Sequence, residues 1–577
     1  MAGAVRETPD GGVVQICPGT YPETLDLSGR DLTLVSTDGP EVTIIASSEP
    51  GAPILQVSDR ADVVAIGLTF TGGSAAYGGA VLCTGSDLAL TDSVVTDSSA
   101  DRGGGLAALS CDITVSGTTL SGNTAAQYGG GMYLEDSSGS VEGSFVSNNT
   151  AYEGGGGFSW DGDVDFIDST FTENLATTVA EDDWGPGGGG GGLWLYSDQS
   201  TVSGSTFSNN TSQYHAAGLY VYRGAPTIED NIVSGNLCWE DGSGLYFNVS
   251  TADIIGNTIE DNEAYDDGGG LRLYYGSTVI SGNYFAGNSA GDDGGGVKLS
   301  HSTHIFTGNE LVGNVAGDAG GGVELDNDSS EVSDSIFTGN VATRGGGLHN
   351  WRTEQSFSIH DNEFVDNEAW DCGGGMSFDN SPHWITLAGL WMEGNVAVDG
   401  AAICVDQVFR DPEDVGGQKN YYEITYLWLT NSAITGSEAS DDGAVYVKAG
   451  EVYLVNSVLD GNDGPGAAAV ASKGSLVHLV NSIVTDNTDG PSLLVEDTDD
   501  GEGSISVRYS DLFDNDRGPS GMDDPVGANG NISADPAFGA DYTLSGASPC
   551  IDAGDPSLDD ADGSRSDMGL YGGPDGQ

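Results

Sequence analysis

Glycine clusters followed at once by an apolar residue recur at a near-constant interval along most of this 577-residue chain. The last glycines of these clusters are Gly79, Gly105, Gly131, Gly157, Gly192, Gly218, Gly244, Gly270, Gly296, Gly322, Gly347, Gly375 and Gly400. Most steps are 26 residues, as from Gly105 to Gly131. A second landmark keeps the same beat, an apolar residue three before an asparagine: Phe207/Asn210, Val233/Asn236, Ile259/Asn262, Phe285/Asn288, Phe337/Asn340. A third, five residues earlier, is often asparagine too, as at Asn231, Asn257, Asn283 and Asn309. A period of this size marks a solenoid, in which each repeat buries its apolar face only against its neighbours.

Each unit contains three short runs of alternating character, separated by Asn, Asp, Ser and Gly turns. No segment has a helical period, and the leucine-rich frame is absent. These features predict an all-β fold, a parallel β-helix solenoid of roughly 18–20 coils with three short strands per coil. Residues 1–58 form the first coils. Residues 59–500 are the regular β-helix, with insertions near 177–187 and 407–422. Residues 501–577 supply the last coils and a cap with an Asp-rich turn. The repeated asparagines are expected to form an internal amide ladder. The glycine tracts mark a bend where positive φ or close backbone approach forbids a Cβ.

Charge removes several function classes. The chain carries 88 Asp and Glu against 16 Lys and Arg, a formal net charge of −72. Such a surface repels nucleic acid and anionic lipid and attracts Ca²⁺. No apolar run reaches membrane-spanning length and no signal peptide is visible. The seven cysteines lack metal-binding spacing. Cys83 and Cys111 could pair across neighbouring coils, which suits an oxidising compartment.

The FxxN and GG-apolar repeats resemble those of the chlamydial polymorphic membrane proteins and, more broadly, the pectin-lyase-like superfamily. The stretch Ile16 to Ile45 looks like the first coils of bacterial secreted β-helix proteins, and Ser548 to Gly573 like their terminal segment. The resemblance implies a right-handed β-helix and an extracellular or outer-surface location. That superfamily contains lyases, glycosidases, adhesins and tailspikes, so the fold leaves function open. No C-terminal run has the long alternating strands of an autotransporter barrel.

Three sets of candidate residues follow from register. If the residue after each glycine cluster is buried, the next faces solvent. That row and its neighbour place Tyr133, Trp194, Tyr196, Tyr220, Tyr222, Tyr246 and Tyr274 in one aromatic stripe, suited to the C–H faces of a glycan. The same row continues as Arg272, Lys298 and Glu324, with Asp326 beside it. Lyases of the family use Arg or Lys as base, and glycosidases use paired carboxylates, so these four are the catalytic candidates if the chain is an enzyme. Asp266, Asp292 and Asp318 share one register before the glycines, and Asp560, Asp562 and Asp567 crowd the C-terminal turn. Both sets are candidate Ca²⁺ ligands. The reading is a secreted or cell-surface, non-catalytic, adhesin-like protein that binds a polysaccharide or another surface partner. A polysaccharide lyase or glycoside hydrolase is the alternative, and a structural rod of an envelope or appendage the second.

Overall fold

A computed structural model describes residues 1–178, 188–353, 355–406, 424–448, 450–499 and 501–574. Apart from Thr177 and Thr178, the insertions expected at 177–187 and 407–422 lie outside the described residues. The chain forms two compact units, Met1–Ala290 and Gly291–Gln577, and each is a parallel β-solenoid.

One coil of the first unit shows the plan. It runs through Leu219–Tyr222, Thr227–Glu229, Ile232–Ser234 and Leu237–Cys238, here the first to fourth strands. Each pairs in parallel with its counterpart one coil on, Leu219 with Leu245, Thr227 with Asp253, Ile232 with Thr258 and Leu237 with Glu263. Four parallel sheets result. Three correspond to the alternating runs of the sequence. The fourth is only two residues long in many coils, too short for alternation to reveal. Ten first strands are described in residues 1–290 and eight in residues 291–577, giving about 18 turns.

Strand alternation builds the core. In the same coil Leu219, Val221, Ile228 and Val233 are fully buried, while the residues between them on the second and third strands face outward. Equivalent aromatics stack from coil to coil, as Phe171 on Phe207 at 5.0 Å and Phe337 on Phe364 at 4.5 Å.

The amide ladder forms as expected. Asn236 Nδ2 donates to Asn262 Oδ1 at 2.9 Å and to Phe207 O at 2.9 Å. Its own Oδ1 accepts from the Asn210 backbone N–H at 3.0 Å and from Asn210 Nδ2 at 3.1 Å. One side chain thus satisfies turn backbone on the preceding coil and links to the asparagine of the next, where water cannot reach. A second ladder runs through Asn231 and Asn257, and the second unit repeats the motif from Asn314 through Asn340 and Asn367 to Asn395.

The glycine clusters have two separate reasons. The first glycine of a cluster has positive φ, 66° at Gly320 and 60° at Gly345. The following ones lie against the next coil: a Cβ on Gly104 would sit 2.4 Å from Gly130 O, and one on Gly105 2.6 Å from Gly131 O. Many aspartates have a comparable backbone role. Asp230 and Asp261 both hold φ of 54°, and Asp and Asn tolerate the left-handed region better than other non-glycine residues. Part of the acidity therefore reflects corner geometry.

The C-terminal segment packs as a cap on the second unit. Val458 and Ile483 join Cys550 and Met568 in one buried cluster, and Asn431 Nδ2 donates to Leu570 O at 2.8 Å and Gly572 O at 3.0 Å.

Candidate functional site

The first strand and the glycine corner before it form an inner angle, and the row expected to face solvent lies inside that angle. A Cβ on Gly190 would come within 2.9 Å of Trp194 Cβ, one on Gly242 within 2.7 Å of Tyr246 Cβ, and one on Gly345 within 2.7 Å of His349 Cβ. Each coil's own first glycine crosses directly over the row residue. Tyr133, Trp194, Tyr220 and Tyr246 are accordingly buried, none more than 4% exposed. This corrects the expectation that they face solvent. They stack on one another instead: Trp194 lies 5.0 Å from Tyr220, and Tyr220 lies 5.1 Å from Tyr246 with planes 5° apart.

The row two residues further along remains half-exposed. Register places Trp160, Tyr196, Tyr222, Asn248 and Tyr274 side by side on consecutive coils. Trp160 stacks on Tyr196 at 4.4 Å, Tyr196 meets Tyr222 at 5.3 Å, and Arg223 lies over Tyr222 at 5.0 Å. Of the seven stripe residues, Tyr196, Tyr222 and Tyr274 therefore line the surface, and the other four form the layer beneath. Sequence reasoning missed Trp160 and Phe158. Gly157 is not a corner glycine but the first residue of its strand, paired with Met132 and Leu193, and a fourth consecutive glycine hid the one-residue shift.

The opposite lip carries exposed rings on adjacent coils: Trp239 meets Tyr265 at 6.5 Å, 56% and 60% exposed. Two half-buried ionisable groups of the same unit are both held in the neutral form near pH 7. Burial pushes the Glu153 carboxyl up to about 8. It holds the His215 imidazole down at about 3, with Arg272 adding to the effect. Arg272 is itself 6% exposed, 3.8 Å from Asp267 and stacked over Tyr274 at 5.5 Å.

In the second unit the row is ionic and closed. Lys298 Nζ bonds Asp293 Oδ2 at 2.7 Å. Glu324 Oε2 lies 2.6 Å from His349 Nδ1, and His349 Nε2 lies 2.9 Å from Asp379 Oδ2. Arg344 continues the chain to Asp379 at 3.2 Å and to Asp371 at 3.0 Å. Glu324 and Asp379 have no exposed surface and Lys298 is 5% exposed. Desolvation alone lowers the His349 pKa, but Glu324 and Asp379 outweigh it and raise it to about 10. Burial raises the Glu324 carboxyl, and His349 opposes the shift.

Lys298 is held by a carboxylate, Glu324 is sealed, Arg272 is buried in the first unit, and half-buried Asp326 accepts from Asn327 Nδ2 at 2.8 Å. Arg344 and Asp379, which complete the pairing, were not singled out in the sequence because they lie 35 residues apart. Trp351 also went unnoticed: it stands beside Asp326 in register, whereas neighbouring Asn350 points into the core.

The acidic candidates divide. Asp292, Asp293 and Asp318 bring carboxylate oxygens within 4.8 Å of one another, as do Asp399, Asp441 and Asp442, so either trio could hold a divalent cation. Each trio already has a lysine partner, Lys298 on Asp293 in the former and Lys473 on Asp442 in the latter. Asp266 accompanies Asp267 in the first unit. Asp560, Asp562 and Asp567 serve backbone: Asp560 accepts from Gly573 N, Asp562 from Ser564 N, and Asp567 from Asp552 N.

A family model described as the right handed beta helix region matches residues 53–236 and 191–369, more than half of the chain. The protein belongs to the right-handed β-helix family. This agrees with the pectin-lyase-like superfamily that its repeats resemble. Similar solved chains include the PL6 family alginate lyase AlyGC, 12% identical over 89% of this chain and 88% of that one, with a TM-score of 0.31. A mutant of the same lyase is 10% identical over 94% and 98%, with a TM-score of 0.24. Neither likeness assigns an activity to this β-helix. No curated protein matches it.

Proposed function

We propose that this β-helix is a non-catalytic glycan-binding protein of an extracellular or cell-surface setting, with its binding face in the first unit. The observation that carries the reading is the half-exposed row Trp160, Tyr196, Tyr222, Asn248 and Tyr274, in register on successive coils and backed by a buried aromatic layer. Rings on a rigid layer lose little entropy on binding, and phenol hydroxyls offer donors and acceptors to sugar hydroxyls. The internal pairing of Lys298, Glu324 and His349 favours binding over turnover, because a general base must reach its substrate. Two inter-coil disulfides, Cys83–Cys111 and Cys372–Cys404, support export to an oxidising compartment. Ca²⁺ is the proposed ion at Asp292, Asp293 and Asp318.

The test is depletion of the full chain by a panel of insoluble and gelled polysaccharides, with product analysis of each supernatant. Retention without new reducing ends or 235 nm absorbance is expected, weakened at least about tenfold in the Tyr196→Ala/Tyr222→Ala variant. Release of unsaturated or reducing products would replace this reading with the lyase or hydrolase one. Binding to nothing in the panel would leave the structural-rod reading.

A further inference from the structure

The second unit carries another aromatic array, on the outer face of its second sheet and away from the glycine corners. Register aligns Trp428, Tyr453 and His478 on successive coils, with Trp384 opposite Tyr426 beside them. Trp428 stacks on Tyr453 at 4.8 Å and 12°, and Tyr453 on His478 at 4.3 Å and 22°. These three rings use their faces on each other and turn their edges outward. Trp384 does not follow them. It contacts Tyr426, Trp428 and Tyr453 at 5.0, 6.3 and 5.8 Å with its plane inclined by 40°, 63° and 53°. It thus leans across two coils and, among the described residues, has no parallel neighbour on its face. Trp384 is 41% exposed and Trp428 39%.

The polar groups here differ from those elsewhere on the chain. At the start of the same strand, coils of the first unit place Asp62, Asp87, Asp112 and Asp163 outward. The second-unit strands Trp384–Ala388, Thr425–Thr430, Gly450–Val455, Leu476–Val480 and Ser504–Arg508 present one outward carboxylate, Glu451. It accepts from Tyr453 OH at 2.8 Å and lies 3.2 Å from His478 Nε2. In a chain of net charge −72, the described strands of this face are nearly free of acid.

We propose that it is a second binding site, independent of the groove in the first unit, and that its ligand is an uncharged polysaccharide strand. An anionic glycan would be driven off by the net charge, and a cationic partner would favour the acidic coils. An apolar protein surface would be met by aliphatic side chains rather than by rings interleaved with Glu451 and His478. An uncharged sugar uses both features: its C–H face lies on Trp384, and its hydroxyls reach the polar edges beside it.

The experiment measures retention of the full chain on cellulose, chitin and curdlan, with alginate and pectate gels as anionic counterparts. Wild type should bind at least one uncharged polymer more tightly than either anionic gel. Trp384→Ala/Trp428→Ala should weaken that binding at least about tenfold. Trp384→Phe, which keeps a ring, should weaken it less. Tyr196→Ala/Tyr222→Ala reads the groove separately, so either site can fail alone. Unchanged retention in the Trp384/Trp428 variant, with its thermal transition intact, overturns the proposal. So does no binding to any uncharged polymer. A wild-type dimer that this variant converts to monomer in sedimentation equilibrium also overturns it, because a second copy then covers the face.

Discussion

Asn236 shows how much one repeated side chain can do. It makes four hydrogen bonds to two neighbouring coils, all out of reach of water. Asn236→Asp keeps the shape but replaces both donors with a buried charge. It should lower stability by about 2–4 kcal/mol at pH 7, measured by urea unfolding against wild type. The deficit should shrink at pH 4, where the carboxyl is protonated and donates again. His349 supplies a second prediction at this scale. Its unfolded pKa is about 6.5 and its folded value about 10, so the folded state holds the extra proton. That stabilisation is complete below pH 6.5 and is lost as pH rises towards 10. Glu324, also raised, acts in the same direction at lower pH. His349→Gln should therefore be less stable than wild type near pH 6, with a smaller decline between pH 6.5 and 10. A decline as steep as wild type's would mean that the Glu324–His349–Asp379 chain does not govern it.

At the scale of elements, the period and the asparagines were legible because each coil spends the same residue on the same task. Register was less legible. One added glycine at Gly157 shifts the register by one residue, so that Phe158 and Trp160 align with Trp194 and Tyr196. The burial of Tyr133, Trp194, Tyr220 and Tyr246 could not be read from alternation either. It depends on where the first glycine of each corner passes, which is a matter of turn geometry. The row of Trp428, Tyr453 and His478 follows the insertion of residues 407–422, where the glycine beat that guided the reading weakens. The disulfides also act between elements. Cys372–Cys404 closes a separation of 32 residues, and loop entropy of that size contributes about 3–4 kcal/mol. Cys372→Ala/Cys404→Ala should lose roughly that amount, and wild type and variant should reach the same level only when Cys83–Cys111 is reduced in both. Equal unfolding midpoints for oxidised wild type and variant would rule the contribution out.

For the whole molecule, the net charge of −72 makes salt a stabiliser. Screening shortens the range of self-repulsion from about 30 Å at 0.01 M to about 3 Å at 1 M. The thermal midpoint should rise between 10 mM and 1 M NaCl. Millimolar CaCl₂ should add a further increase over EDTA at matched ionic strength if Asp292, Asp293 and Asp318 take an ion. Asp318→Asn should remove that added increase while leaving the salt effect. Matching curves in CaCl₂ and EDTA would sink the calcium assignment.

The coil-to-coil pairing also has a mechanical consequence. Among the described residues, and apart from the C-terminal cap, the strands of a coil are hydrogen-bonded to those of the coil before and the coil after, so tension on a loose end is borne by a single seam at a time. Pulled in a force clamp, the solenoid should peel rather than burst. Each step should release about 26 residues, roughly 90 Å of chain. The Cys83–Cys111 staple, joining neighbouring coils, should appear in such a trace as one withheld step that returns when a reductant is added.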